Sequence, residues 1–283
     1  DTSGCSVLCI QETKRESFDL AFIKTFCPKR FDKFVFAPSV GASGGLIIIW
    51  NSSVFVGTPW YVDSFAVGVS FVATQSSDSW KLINVYGPCS GQRRVDFTSW
   101  LFDLNIPDDE NWLILGDFNF IRSTNNRNKP GGDAADMLLF NEIIRAQSLM
   151  ELPVKGRTYT WSNMQDDPLL EQLDWFFSSS CWTTSFPNTM VLPLGKPVSD
   201  HIPCVVAIES NIPKSKLIRF ENFWVNHAGF MDVVAASWSK ACHAPNAAAR
   251  ICKKLKTLRY DLKRWSRGIS KLKIMIQNSN ESL

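Results

Sequence analysis

The sequence predicts an α/β fold, a two-sheet α/β sandwich flanked by helices, followed by a separate C-terminal helical tail. Three observations predict it. Residues 5–208 alternate short apolar runs with Gly, Pro, Asn and Asp punctuation, the pattern of many short strands with a few helices between them. After Ile208 this character ends, and Pro213-Lys214-Ser215-Lys216 reads as a linker. From Ala247 onward, apolar residues step by four and three alternately, as in one long amphipathic helix. The division expected is a body over 1–210 and a basic, largely helical connector over 211–283.

Each element has its own warrant. Val7-Leu8-Cys9-Ile10 and Leu46-Ile47-Ile48-Ile49-Trp50 are short continuous apolar runs, as buried strands are. Phe65 to Ala73 and Trp80 to Tyr86 alternate in the manner of half-buried strands, and Thr158 to Ser162 does so too. Trp112-Leu113-Ile114-Leu115, Leu173-Asp174-Trp175-Phe176 and Cys204-Val205-Val206-Ala207-Ile208 complete the strand set. Helical spacing occurs near 17–26 and 93–104. It recurs over 136–150, with Leu138, Leu139, Ile143, Ile144 and Leu149 inward and Asp136 as N-cap. Residues 125–133 form a polar, Gly-Gly-containing loop. The tail places Ile251, Leu255, Leu258, Leu262, Trp265, Ile269, Leu272 and Ile276 on one seam flanked by Lys and Arg, and that seam is expected to lie uncovered.

A hydrophobic fraction of 45% and an aromatic fraction of 12% supply ample material for a core. No apolar run approaches the roughly 18 residues of a membrane span, so no membrane partner is expected. The chain opens at Asp1 without a signal-like stretch, which reads as a fragment. Eight scattered cysteines with no Cys-x-x-Cys pair suit reduced thiols of an intracellular protein. The net charge of +3 hides an asymmetry. Residues 1–213 hold 16 Lys and Arg against 23 Asp and Glu, while 214–273 hold 14 against 3. An acidic body suits a site that concentrates cations, and a basic tail suits nucleic acid or simply a solvated helix face.

The chemistry-bearing groups cluster at strand ends. Gly116-Asp117-Phe118-Asn119 follows an apolar strand. If the chain stays extended there, Asp117 and Asn119 share a side. By itself the tetrapeptide fits an ordinary Asp/Asn turn after a strand better than a site. Its company is Gln11-Glu12, Ser43-Gly44-Gly45, Asn84-Val85-Tyr86-Gly87-Pro88, Leu173-Asp174-Trp175 and Ser199-Asp200-His201-Ile202-Pro203. Polar groups in such places are costly unless paired.

That ordered set, over roughly residues 5–208, resembles the endonuclease/exonuclease/phosphatase (DNase I-like) superfamily. Within it, Gly156-Arg157-Thr158-Tyr159-Thr160-Trp161-Ser162-Asn163 and Arg219-Phe220-Glu221-Asn222-Phe223-Trp224 are similar to the endonuclease domain and connector of plant non-LTR (LINE-type) retrotransposon polyproteins. The resemblance implies a Mg²⁺- or Mn²⁺-dependent phosphodiesterase that nicks DNA, with Glu12 and Asp200 as metal-site residues. It implies that Asp117 and Asn119 orient the water and the phosphate, and that Tyr86 approaches the scissile phosphate. Asp200 and His201 match the closing Asp-His pair, and Asp174 is the acid that fixes the histidine tautomer. DNA is the implied partner, with RNA a second candidate for the basic tail, a reverse transcriptase domain beyond it, and the nucleus the expected place of action. The family pattern also begins with a Trp-Asn strand that nothing in Asp1 to Ser6 matches, so the fold is expected to lack its first strand. After Tyr86 the chain reads Gly87-Pro88-Cys89, without the Asn of repair-type members. The alternatives are a non-catalytic remnant of a truncated element and a stand-alone nuclease or phosphatase of the same fold.

Overall fold

The computed structural model describes residues 4–208 except 42, 77, 108 and 196–198, then 224, 225, 227–243 and 246–266. The chain divides into two compact units, Asp1–Asn211 and Ile212–Leu283.

The first unit is built on two sheets. In the smaller, β3 (Leu46–Trp50) lies between β1 (Val7–Gln11) and β2 (Lys33–Ala37), antiparallel to both. The larger has six strands. β4 (Phe55–Val62), β5 (Ala66–Ala73), β6 (Ser79–Tyr86) and β7 (Trp112–Asp117) come first in spatial order. They are followed by β11 (Asp174–Ser178) and β8 (Met150–Glu151). All its pairs are antiparallel except β6 with β7. A parallel pair needs a crossover, and α2 (Gln92–Phe102) falls in that connection.

Residue alternation explains the layering. Leu46, Ile48 and Trp50 pack between the sheets against Val67, Val69, Phe71 and Leu82. Ile47 and Ile49 face the other way, onto Ile23 of α1 (Leu20–Phe26) and Phe31. β3 is therefore buried on both faces, which is why its sequence is one unbroken apolar run. The larger sheet shows the same division. Ile83, Val85 and Ile114 meet Phe97 and Leu101 of α2, and Phe140, Ile143 and Ile144 of α3 (Ala134–Ala146). The order of layers is helix, sheet, sheet, helix, as the sequence predicts. Smaller elements complete the unit: the two-residue strands β9 (Trp161–Ser162) and β10 (Leu170–Glu171), which pair with each other, the short helix α4 (Ser180–Ser185), and the pair β12 (Met190–Pro193) and β13 (Cys204–Ala207).

Several local expectations change. The N-cap of α3 is Asp133, which accepts from the backbone N–H of Ala135 and Asp136. Asp136 instead pairs with Arg94 at 2.6 Å, tying α3 to α2. The inward face of α3 is Met137, Phe140, Ile143 and Ile144, while Leu138 and Leu139 are exposed. The strand expected over Thr158 to Ser162 shrinks to Trp161–Ser162. β4 carries no clear sequence signal, because Gly57 and Pro59 interrupt it. Pro59 sits at a register shift, as proline does on edge strands.

In the second unit, α5 (Phe230–Ser239) packs against α6 (Ala247–Trp265). Trp224, Phe230 and Leu262 are buried there, with Val233, Leu258 and Trp265 beside them. The expected bare seam is thus partly covered, by α5. Ile251 and Leu255 stay about half exposed, and Ile269, Leu272 and Ile276 lie outside the described residues. Part of the basic face also has local work. Lys240 pairs with Asp261 at 2.7 Å, and Lys254 donates to the Lys240 carbonyl at the end of α5.

Candidate active site

Strand register brings three site residues onto one rung. Tyr86 at the end of β6 is paired with Asp117 at the end of β7, and Asp117 with Asp174 at the start of β11. Cross-strand partners share a face, so a phenol and two carboxyls stand side by side where the central strands of the large sheet end. Close backbone approach makes this possible. A Cβ on Gly116 would lie 2.0 Å from the Val85 carbonyl oxygen, and one on Gly87 would lie 2.2 Å from that of Phe118. Only glycine fits at either place.

His201 closes the rung. Its Nδ1 is 2.9 Å from Asp174 Oδ2, and its Nε2 is 3.7 Å from Asp117 Oδ2. Thr160 locks the arrangement from behind. Its buried hydroxyl accepts from the backbone N–H of Leu173 and Asp174, and its carbonyl accepts from Ile202 N–H. On the other side Tyr86 donates its hydroxyl to Glu12 at 2.6 Å. Glu12 lies just past β1 at φ 53°, in the left-handed region that a Glu seldom occupies, and its carboxylate also lies 3.5 Å from Lys14.

Asn119 reaches Asp117 by a route unlike strand alternation. The strand ends at Asp117, and Asn119 turns at φ 53°. Its amide nitrogen then donates to Asp117 Oδ2 at 3.0 Å and to the Gly87 carbonyl at 2.7 Å. Both amide hydrogens are thereby engaged, so Asn119 holds Asp117 in place.

Burial and neighbouring charge set the protonation states. Burial pulls the His201 imidazolium down. The hydrogen bond and charge of Asp174, helped by Asp117 and Asp200, overcome that and hold its pKa at about 9. Asp117 is pushed up, first by burial and then by the charge of Asp174. Tyr86 is raised far above the ordinary phenol range by burial and by Glu12, so its hydroxyl stays protonated.

Asp200 is placed differently from the expectation. Its carboxylate accepts from the Trp161 indole N–H at 3.1 Å, and its backbone carbonyl accepts from Ser162 N–H. Among the described residues, the ligand-type atoms all lying within 4.8 Å of one another belong to Asp117, Asp174 and His201. Glu12 and Asp200, the metal pair expected from sequence, are not joined in that set. Asp200 contributes its charge to His201 and its carboxylate to the short β9 strand.

Two residues escape the sequence reading as members of the site. Thr160 lies in the Gly156–Asn163 stretch, which carries the resemblance but marks no site residue. Asn84 is fully buried in β6, and its amide nitrogen donates to the carbonyls of Ile10 and Ile47 at 3.2 Å each. Its oxygen accepts from the Gln11 side chain. The small sheet, and with it the Glu12 turn, is thus pinned to the large sheet two residues before Tyr86. The available signal was a lone Asn inside an apolar strand.

Residues 2–201 match the model of the endonuclease/exonuclease/phosphatase family. The chain belongs to that family. This member is also 27% identical over 175 residues to the transposon TX1 uncharacterized 149 kDa protein of Xenopus laevis, a match over 58% of the chain and 13% of that protein. The chain therefore spans a small part of its curated relative. Solved structures agree on the fold. An AP endonuclease from Archaeoglobus fulgidus is similar with a TM-score of 0.54 and 16% identity, covering 71% of this chain and 88% of that one. The endonuclease domain of TRAS1, a telomere-specific non-LTR retrotransposon, gives a TM-score of 0.51 and 13% identity, covering 73% and 87%.

Proposed function

We propose that this family member is a DNA-nicking endonuclease domain of a LINE-type retrotransposon, hydrolysing a phosphodiester with a divalent cation. The observation that carries the reading is the Asp174–His201 pair aimed at Asp117, with Tyr86 and Glu12 beside it. The relative among transposon proteins supports the retroelement context. A reverse transcriptase domain in the same longer polypeptide belongs to the same proposal.

Hydrolysis needs an aligned water, a counter-charge for the phosphoryl oxygens and help for the leaving oxygen. Asp117 accepts a hydrogen bond from the water and aims it at phosphorus, held at the right angle by Asn119. His201, protonated and oriented through Nδ1 by Asp174, presents Nε2–H to a phosphoryl oxygen as charge builds. The residues fit a hard cation. Oxygen donors predominate, and the three acids Glu12, Asp117 and Asp174 outnumber their cationic neighbours Lys14 and His201. Glu12 and Asp117 would hold the ion, Asp174 being committed to His201. Bound there, the cation would polarise the phosphoryl group and stabilise the leaving oxygen.

The test is nicking of supercoiled plasmid by the whole chain in Mg²⁺ or Mn²⁺. Asp117→Ala is expected to lower the rate by about 10²–10⁴, and EDTA to abolish it. Undiminished nicking in the variant, or no nicking in either metal, would overturn the proposal.

A further inference from the structure

A cavity of about 170 Å³ opens beside Tyr86, on the side away from His201's partner strand β11. Its walls include Ser43, Gly44, Gly45, Phe65, Ser90 and Arg93, and none of its lining residues is acidic. We propose that it is a nucleotide subsite, taking one nucleotide of the nucleic-acid strand next to the scissile phosphate. The phosphate sits on Arg93 and the serine hydroxyls, and the base or sugar lies against Phe65.

The two adjacent arginines show why Arg93 is the one assigned. Arg94 is built into the fold: it pairs with Asp136 at 2.6 Å and donates to the Asn119 carbonyl at 2.8 Å. Arg93 is exposed, its guanidinium 5.4 Å from the centre of the Phe65 ring, and it faces no carboxylate among the described residues. In an acidic body, an arginine stacked on an aromatic ring and flanked by hydroxyls suits a phosphate rather than an internal partner. The ring adds a stacking surface, which single strands use without regard to sequence.

The floor points the same way. Gly44 sits at φ 76°, and a Cβ there would meet nothing within 4 Å. The left-handed backbone is what favours glycine there, and the open space above it leaves room for a ligand. The carbonyls of Gly44 and Gly45 accept from the backbone N–H of Lys14 and Thr13, so the floor is tied to the turn that carries Glu12. At about 30 Å³ per water, the space holds several waters' volume, enough for a phosphate with its sugar. Tyr86 forms the shared wall, so a strand lying in the cavity runs directly into the proposed catalytic rung.

This subsite rests on the nuclease reading, but its test separates the two. Fluorescence anisotropy with short fluorescein-labelled DNA in EDTA measures binding alone, and plasmid nicking in Mg²⁺ measures KM and kcat. Arg93→Ala in the whole chain is expected to weaken DNA binding about tenfold, since a lost charged phosphate contact is worth on the order of 1.4 kcal/mol. The slope of log affinity against log salt should fall by about one. KM should rise while kcat stays within about twofold, as for a contact made equally in ground and transition states. Arg93→Lys should keep the salt slope, and Arg145→Ala, an exposed arginine on α3, should change neither quantity. Unchanged affinity and slope in Arg93→Ala would overturn the subsite even if nicking is normal. Arg93-dependent binding in a chain that does not nick would support the subsite and overturn the nuclease reading.

Discussion

Removing the charge of Asp174 tests whether the Asp174–His201 pair governs the site. In Asp174→Asn the side chain keeps its shape, but the strongest influence raising His201 is gone. Burial then acts with only Asp117 and Asp200 opposing it. The imidazole is expected to fall from about 9 to its ordinary 6.5 or below. A shift of at least two units corresponds to about 3 kcal/mol at roughly 1.4 kcal/mol per unit. At pH 7.5 the protonated fraction would drop from nearly all to about a tenth, and a phosphate-facing imidazolium would be lost. Nitrogen-detected NMR titration resolves this readily, because the chain has only three histidines. Stability should follow with a defined sign. A folded-state pKa above the unfolded one means that the native state holds the proton longer. The stabilisation is therefore complete below about pH 6.5 and is lost as pH rises through about 9. The elevation of Asp117 acts in the same direction, eroding stability as pH rises out of the ordinary carboxylate range. Urea unfolding should show wild-type stability declining between about pH 6.5 and 9, and Asp174→Asn nearly flat there. A wild-type His201 titrating near 6.5, or a variant still titrating near 9, would refute the reasoning.

Other outcomes follow from the same geometry. Asn84→Leu removes the partner of the Ile10 and Ile47 carbonyls and the Gln11 amide, and should lower unfolding free energy by about 3 kcal/mol or more at about 1–3 kcal/mol per unsatisfied buried group; a urea midpoint within error of wild type would exclude this bracket. Gly116→Ala places a Cβ against the Val85 carbonyl at φ 140° and should leave little folded protein by circular dichroism, whereas Gly44→Ala should fold. Glu12→Gln should weaken Mg²⁺ binding measured by calorimetry at least tenfold, and equal affinity would remove Glu12 from the cation site. Leu262→Ala should cost about 2–5 kcal/mol in unfolding of the α5–α6 unit, read by loss of helical signal on heating.

How much of this was legible before the fold depends on whether a residue's role is local or assembled. Asp117, Asn119, Tyr86, Asp174 and His201 were legible as candidates because each sits at a strand end or inside an apolar run, where a polar group is conspicuous. The helix-and-strand alternation of residues 5–208 was legible for the same local reason, since periodicity follows from which face a side chain buries. Asp117 and Asn119 meet as expected, but not through the pleat of an extended strand, which ends at Asp117. A left-handed turn at Asn119 does that work, and a sequence does not show where a strand stops pairing. The resemblance made Asp200 a metal-site residue, and the fold adds a partner far away in sequence, the Trp161 indole N–H that its carboxylate accepts from. The tail's seam was legible as amphipathic, but its cover by Phe230 and Val233 depends on a helix reversal that heptad spacing does not encode. Composition, periodicity and strand-end chemistry were therefore determined by the sequence alone. The rung of Tyr86, Asp117 and Asp174, the Asn84 bracket and the Arg93 cavity were decided by tertiary structure. Each is a contact between segments many residues apart, and only close packing of two sheets brings them within hydrogen-bond range.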